Sequence, residues 1–330
     1  MGGLTGDHLT DADNNTAYGY AALTADTKGS KSTAIGQGTL AAQNFTSATD
    51  SHNTAVGYQA GASVTTGIAN TFIGSISGDA NTIGGENVAL GYGALGSNVS
   101  GDRSTAIGYL ALAAQNNGTT TFDADNTAVG FNAMVSLTTG TRNVAIGSGA
   151  LDAADDDSRN VAIGYGALSA MDTGNSTPYN VAVGYQAGTA ITTGLFNTFV
   201  GGLAGDASDD GSSNTAVGYA ALSANAGSNN TALGSLALQA TTGTLNTGLG
   251  KQAGLSITSG EQNTFVGANA GDALTEGNAN TALGYEALGA DTLGKNSVAV
   301  GRAALQAQNF SSSTNTYNTA VGSNAGFSVT

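Results

Sequence analysis

No cysteine occurs in the 330 residues, which excludes disulfides, thiolate catalysis and zinc sites built on thiolates. Charge is also scarce: 9% of the residues are charged, and Lys+Arg 8 against Asp+Glu 23 leaves a net charge of -15 at pH 7. So few cations give no electrostatic footprint for a phosphate backbone, so no nucleic-acid partner is expected, and anionic membranes are equally poor partners. No apolar run approaches the ~18 residues of a spanning helix, so direct membrane insertion is not expected. The start, Met1-Gly2-Gly3-Leu4, lacks the basic-then-apolar layout of a secretory leader. His8 and His52 are the only histidines, and with no G-x-S-x-G elbow a hydrolase triad has no basis.

What is present is a repeat. Variants of Asn-Thr-Ala-Val-Gly-Tyr-Gln-Ala place a glycine at Gly19, Gly36, Gly57, Gly74, Gly91, Gly108, Gly130, Gly147, Gly164, Gly184, Gly201, Gly218, Gly234, Gly250, Gly267, Gly284, Gly301 and Gly322. Thirteen of the seventeen gaps are 16 or 17 residues, and the four longer ones end at Gly57, Gly130, Gly184 and Gly322. A fixed period of this size is the mark of stacked coils. Residues 1–13 read as a lead-in and 14–330 as one continuous array. The array stops within a coil, at Ser323-Asn324-Ala325-Gly326-Phe327-Ser328-Val329-Thr330, which predicts that the repeats continue beyond it.

The columns of the repeat assign faces. The residue before the glycine is Val, Ile or Leu in seventeen coils and Tyr18 in the other, and the residue three before it is Thr or Val in all eighteen. The residue two before is Ala in fourteen coils, Phe in three and Gly in one. Period-2 geometry makes this a short strand over the five residues ending at Gly, β-branched on one face and small on the other. The fold class is therefore all-β, a parallel β-solenoid of about 18 coils, stacked at ~4.8 Å over roughly 85 Å. Tyr-x-Ala-Leu after the glycine reads either as a corner of the coil or as a single helical turn.

Both strand faces are apolar or nearly so, a pattern typical of a strand held between two layers. One layer is the coil's far wall, lined by the Ala that stands three after Gly in sixteen coils. Sister chains are the economical source of the other. Asn four before Gly in fifteen coils, replaced by Ser32, Ser104 and Ser297 in the rest, suits a hydrogen-bonded ladder between coils.

One correlation ties neighbouring coils together. Four after Gly the residue is Leu or Met in eleven coils and Gly in seven, and the coils that follow Gly61, Gly188 and Gly254 carry Phe72, Phe199 and Phe265 where Ala normally stands. Lost leucine volume returned as phenylalanine is what a close-packed core requires. The position after Gly is Tyr in eight coils but also Lys251 and Arg302. A column that accepts such residues faces water, and its aromatics either stack sugars or cover the coil edge.

Asn296-Ser297-Val298-Ala299-Val300-Gly301 resembles the head repeat of trimeric autotransporter adhesins, Asn-Ser-Val-Ala-Ile-Gly, and similar repeats occur in phage tail-fibre proteins. The resemblance covers nearly the whole chain, although the coil here is longer than the adhesin head repeat. It implies a left-handed parallel β-roll, an intertwined or side-by-side homotrimer with the aliphatic face turned inward, and an adhesive outer surface. An extracellular, cell-surface or virion tail-fibre location follows from it.

Several motifs fail on inspection. Gly91-Tyr92-Gly93-Ala94-Leu95-Gly96 matches a dinucleotide fingerprint but is an ordinary repeat with no amphipathic helix after it. Gly289 to Asn296 nearly matches a phosphate-binding loop, yet Asn stands where Ser or Thr would hold magnesium. No strand-borne pair of carboxylates suits glycan hydrolysis, so no enzyme is expected, a polysaccharide-cleaving tailspike being the remaining enzymatic reading. No cofactor is implied. Asp152, Asp155, Asp156 and Asp157, and Asp206, Asp209 and Asp210, are acidic loops where calcium is conceivable, although neither matches a known calcium loop.

Insertions in repeat arrays often carry the binding face. Gln43-Asn44-Phe45, Gln115-Asn116-Asn117 and Gln308-Asn309-Phe310 open three of the four insertions, and Phe122, Pro178, Tyr179 and Tyr317 lie near the far ends. Aromatics beside amides suit carbohydrate. The expected function is therefore a non-enzymatic fibrous adhesin binding a cell-surface glycan through these outer loops, with a purely structural shaft or filament as the alternative.

Overall fold

The computed structural model describes residues 3–116, 118–174, 177–310 and 312–329. Contacts divide the chain into two units, Met1–Ile163 with Gly174–Thr177, and Gly164–Thr173 with Pro178–Thr330. Each is a parallel β-solenoid, about 18 turns in all, and no helix occurs among the described residues.

The first unit carries nine three-residue strands, from Thr16–Tyr18 and Thr33–Ile35 through to Val161–Ile163, and the second another nine, from Val181–Val183 to Thr319–Val321. Neighbouring strands pair in parallel with repeat positions in register: Thr54 with Thr71, Ala55 with Phe72 and Val56 with Ile73. Each strand ends one residue before the repeat glycine, shorter than the five residues expected. The reason is the glycine itself, which turns the chain at φ +133 in Gly57. A Cβ on Gly57 would stand 2.6 Å from the carbonyl oxygen of Gly74 in the next coil. Only glycine fits a column of backbone stacked that closely.

Tyr-x-Ala-Leu forms a corner, and the helical turn does not occur. Two residues there take left-handed backbone, as Leu110 (φ 52) and Leu112 (φ 50) do, which no helix tolerates. The buried leucine of this corner fills the coil interior: Leu23, Leu40, Leu95, Leu112, Leu151 and Leu168 are fully buried.

Phenylalanine replaces that leucine as expected, and with a larger share than one coil. Phe72 is fully buried and its ring lies between Gly61 and Gly78, where added Cβ atoms would stand 2.8 and 2.5 Å from it. Phe199 stands likewise between Gly188 and Gly205, and Phe265 between Gly254 and Gly271. Each ring thus occupies the space of two leucines.

The asparagine column is a ladder, but its rungs run from side chain to backbone. Asn53 Oδ1 accepts from the Asn70 amide at 2.9 Å, and Asn70 Oδ1 from the Asn87 amide at 3.0 Å. Asn70 Nδ2 donates to the Gly84 carbonyl at 2.9 Å. Each fully buried side chain satisfies backbone groups of the next coil that would otherwise be orphaned. The lead-in also joins the stack: the Gly6 amide donates to the Ala22 carbonyl at 2.9 Å, and the Lys31 amide to the Asp13 carbonyl at 2.9 Å.

Candidate functional site

Three of the insertions are built on one shared device. The residue seven after the repeat glycine points into the coil, and at the start of these insertions it is Gln43, Gln115 or Gln308, each fully buried. Gln43 Nε2 donates to Asp26 Oδ2 at 2.6 Å and to Ser32 Oγ at 2.9 Å, while its Oε1 accepts from Asn53 Nδ2 at 2.9 Å. Asp26 in turn accepts from the Gly29 amide at 2.9 Å. The same knot recurs as Gln308 with Asp291 (2.6 Å), Ser297 (2.9 Å) and Asn318 (2.8 Å). At Gln115 the partners are Ser104 (3.0 Å), Asn98 (3.3 Å) and Asn126 (2.9 Å).

This knot explains the three serines of the asparagine column. The shorter side chain leaves room for the glutamine, and each serine sits in the coil that opens an insertion. In the sequence Ser32, Ser104 and Ser297 stand eleven residues before these glutamines, a spacing that brings the two together only once the coil closes. In the fourth insertion Met171 stands at the glutamine position, fully buried, with Asn180 Nδ2 3.4 Å from its sulfur, and the column keeps Asn160.

Outside each knot, a two-residue parallel pairing fastens the far end of the loop: Gly29–Ser30 with Thr49–Asp50, Gly101–Asp102 with Phe122–Asp123, and Gly294–Lys295 with Thr314–Asn315. Lys31 then pairs with Asp50 at 2.6 Å, which holds the Asp50 carboxyl below its ordinary value. Arg103 bonds Asp125 at 2.9 Å and also Asp123, and these bonds raise the guanidinium pKa. At the third loop Asn296 Nδ2 donates to Asn315 Oδ1 at 2.9 Å.

The residues expected to bind a ligand fall into different environments. Phe45 is only 6% exposed, so its ring lies under the loop and offers no face to solvent. Phe122 and Phe310 are half-buried, and Asn44, Asn116 and Asn309 are exposed. Asn44 and Asn309 each accept a hydroxyl proton across the coils, from Thr27 at 3.0 Å and Thr292 at 2.9 Å. Asn116 Oδ1 accepts from the Gly118 amide at 3.0 Å. Asn117 lies outside the described residues. Tyr317 is 71% exposed. Tyr179 stacks on Phe196 at 6.0 Å.

The tyrosine column is exposed, as its tolerance of Lys and Arg implied, yet many of its ring faces are already used. Tyr92 stacks on Tyr109 and Tyr109 on Phe131, both at 5.4 Å. Tyr109 therefore has neither face free for a sugar ring.

A cleft of about 230 Å³ lies beside the second loop, lined by Ile68, Ile83, Glu86, Asp102, Arg103 and Asp123 among others. Burial, and then the neighbouring Asp123 and Glu86, raise the Asp102 carboxyl, opposed by the bond it accepts from the Gly85 amide. Arg103 is committed to Asp123 and Asp125, so the cleft presents mainly carboxylates. Among the described residues no group of three or more His, Asp or Glu is placed to hold a metal ion. The backbone of the acidic run is engaged between coils: the Asp155 carbonyl accepts from the Thr138 amide at 2.6 Å, and the Asp157 carbonyl from Asn143 at 2.7 Å.

In each unit the outer face of the strands is open to solvent. Ile35, Ile73, Leu90, Ile146, Leu233, Leu249 and Leu283 stand exposed there, beside the Thr/Val column, and neither column contains a charged residue. Comparison with known proteins finds no family model and no curated protein that matches the chain.

Proposed function

We propose that the chain is a non-enzymatic structural segment of a fibre, a shaft that assembles side by side with copies of itself through the outer face of its strands. The observation that supports this is the uncharged strip formed by the Thr/Val and Val/Ile/Leu columns, repeated along the strands of each unit and open to solvent in a single chain. Exposed aliphatic residues repeated coil after coil beside an uncharged Thr/Val column suit an interface, and parallel strands are ordinarily covered on both faces. The resemblance to trimeric adhesin heads favours three copies, a left-handed roll, and an extracellular or virion-borne setting. The loop knots suit a shaft as well, since they tie the insertions down.

The test is a pair of substitutions on the strip. Leu90→Asp and Ile146→Asp, both on exposed side chains, should dissociate the assembly while leaving the interior unchanged. Unaltered oligomers in the double variant would refute the role of this face.

A second reading, adhesion to glycan through the outer loops, draws support from Tyr317 and from the Tyr179–Phe196 pair, which leave aromatic surface open at loop ends. A glycan array probed with the whole chain separates the two: specific binding lost on Tyr317→Ala and Tyr179→Ala supports adhesion, and no bound glycan supports the shaft.

A further inference from the structure

Where aromatic residues follow one another in the column after the repeat glycine, their rings stack in parallel. Tyr165 stacks on Tyr185 with centroids 5.6 Å apart and planes within 12°, matching the 5.4 Å steps of Tyr92, Tyr109 and Phe131. In the second unit the ladder then misses a rung. Gly202 stands between Tyr185 and Tyr219.

The backbone gives no reason for that glycine. Gly201 beside it needs φ +138, whereas Gly202 is not among the positive-φ residues. A Cβ on Gly202 would meet only Tyr219 Cδ2, at an ordinary 3.8 Å. A glycine that neither conformation nor crowding demands leaves an opening, a pattern found where another group approaches the backbone closely. Nor has Tyr219 collapsed into the opening. Tyr20 makes the same contact, 3.9 Å, with the Cβ position of Gly3, so Tyr219 keeps the orientation of its column.

The result is a gap of two ladder steps with a ring on either side. Tyr185 and Tyr219 are 56% and 58% exposed, so the gap opens to solvent. The positions flanking the column in these coils are Val183, Val200 and Val217 on one side and Gln186, Leu203 and Ala220 on the other. None carries a charge. We propose that Tyr185, Gly202 and Tyr219 form a slot for a planar aromatic ring, which takes the place of the missing rung and stacks on both tyrosines. The chain's net charge of -15 favours neutral or cationic ligands over anionic ones. In the first unit Gln37, between Tyr20 and Tyr58, and Ser75, between Tyr58 and Tyr92, place a side chain where Gly202 places none, so those gaps bind more weakly. The valines on one side belong to the outer strip, but the three residues of the slot do not, so ring binding and side-by-side assembly are read out separately.

The test is titration of the whole chain with a planar cationic benzothiazole dye, followed by fluorescence and stoichiometry. Saturable binding is expected, weakened about tenfold or more by Gly202→Tyr, which completes the ladder, and by Tyr219→Ala. Gly202→Ala should keep most of the binding. Both Gly202 variants should melt with the parent, because that position bears no conformational demand. Indole should compete with the dye and cyclohexylmethylamine should not. Absence of dye binding, equal binding by Gly202→Tyr, or equal competition by the two ring compounds would each overturn the proposal.

Discussion

Gly61 keeps open the volume that the ring of Phe72 fills: a Cβ on Gly61 would stand 2.8 Å from Phe72 Cδ2. The two residues belong to successive coils, with Ala55 and Phe72 paired across their strands. One side chain therefore packs two layers. Phe72→Ala should cost about 3–5 kcal/mol, the range for an emptied aromatic site, while Gly61→Leu alone should also destabilise by overpacking. Combining them should recover part of the loss, incompletely, because Gly78 leaves the other half of the space empty. Denaturant midpoints of the three variants measure the coupling, and strict additivity would contradict shared volume.

The repeat glycines and Gly202 make an internal control. Gly57→Ala forces a side chain into φ +133 against the Gly74 carbonyl, and a loss of about 3 kcal/mol or more is expected from strain and clash together. Gly202→Ala should change stability by less than about 0.5 kcal/mol. Thermal melts compare them directly.

Removal of the glutamine knot should loosen one loop. Gln43→Leu leaves Asp26, Ser32 and Asn53 without the partner they share, at about 1–3 kcal/mol for buried groups left unsatisfied. Amide exchange should accelerate over residues 43–53, with little change around Gln308. Uniform acceleration along the chain would argue that the knot does not act locally.

Acidification should stabilise the array at first. Burial raises the carboxyls of Asp79, Asp102, Asp152, Asp206 and Asp272 above the ordinary 3.8. The folded state then binds protons before the unfolded chain does, so stability rises as pH falls through these raised values and the gain is complete below 3.8. Asp50 acts oppositely: Lys31 lowers its pKa, and its contribution is lost as pH falls from the ordinary value through the lowered one. The melting temperature at about pH 4, near the ordinary carboxyl value, should exceed that at pH 7. Replacing the five raised aspartates by asparagine should raise the value at pH 7 and flatten the dependence.

The columns of the repeat made the solenoid legible, because every coil repeats the same choice of inward and outward residue. The Leu-to-Phe exchange was legible too, since volume must be conserved between layers. Its full extent was not, as the Gly61–Phe72–Gly78 arrangement depends on which way the ring leans. The loops were read least well. Phe45 beside Asn44 looks like a sugar platform in sequence, but whether the ring turns under the loop is decided by packing. The Ser32–Gln43 contact escaped notice because it joins two columns that meet only inside the coil. The turn after the glycine was ambiguous because leucine favours helix locally, while the stacked coil imposes a left-handed backbone on it.

The central claim is that the outer strand face is covered by copies of the same chain, and the mass of the intact protein in solution tests it most directly. Multi-angle light scattering across a range of concentrations should return three times the chain mass. A stable, soluble monomer at all concentrations would contradict the account.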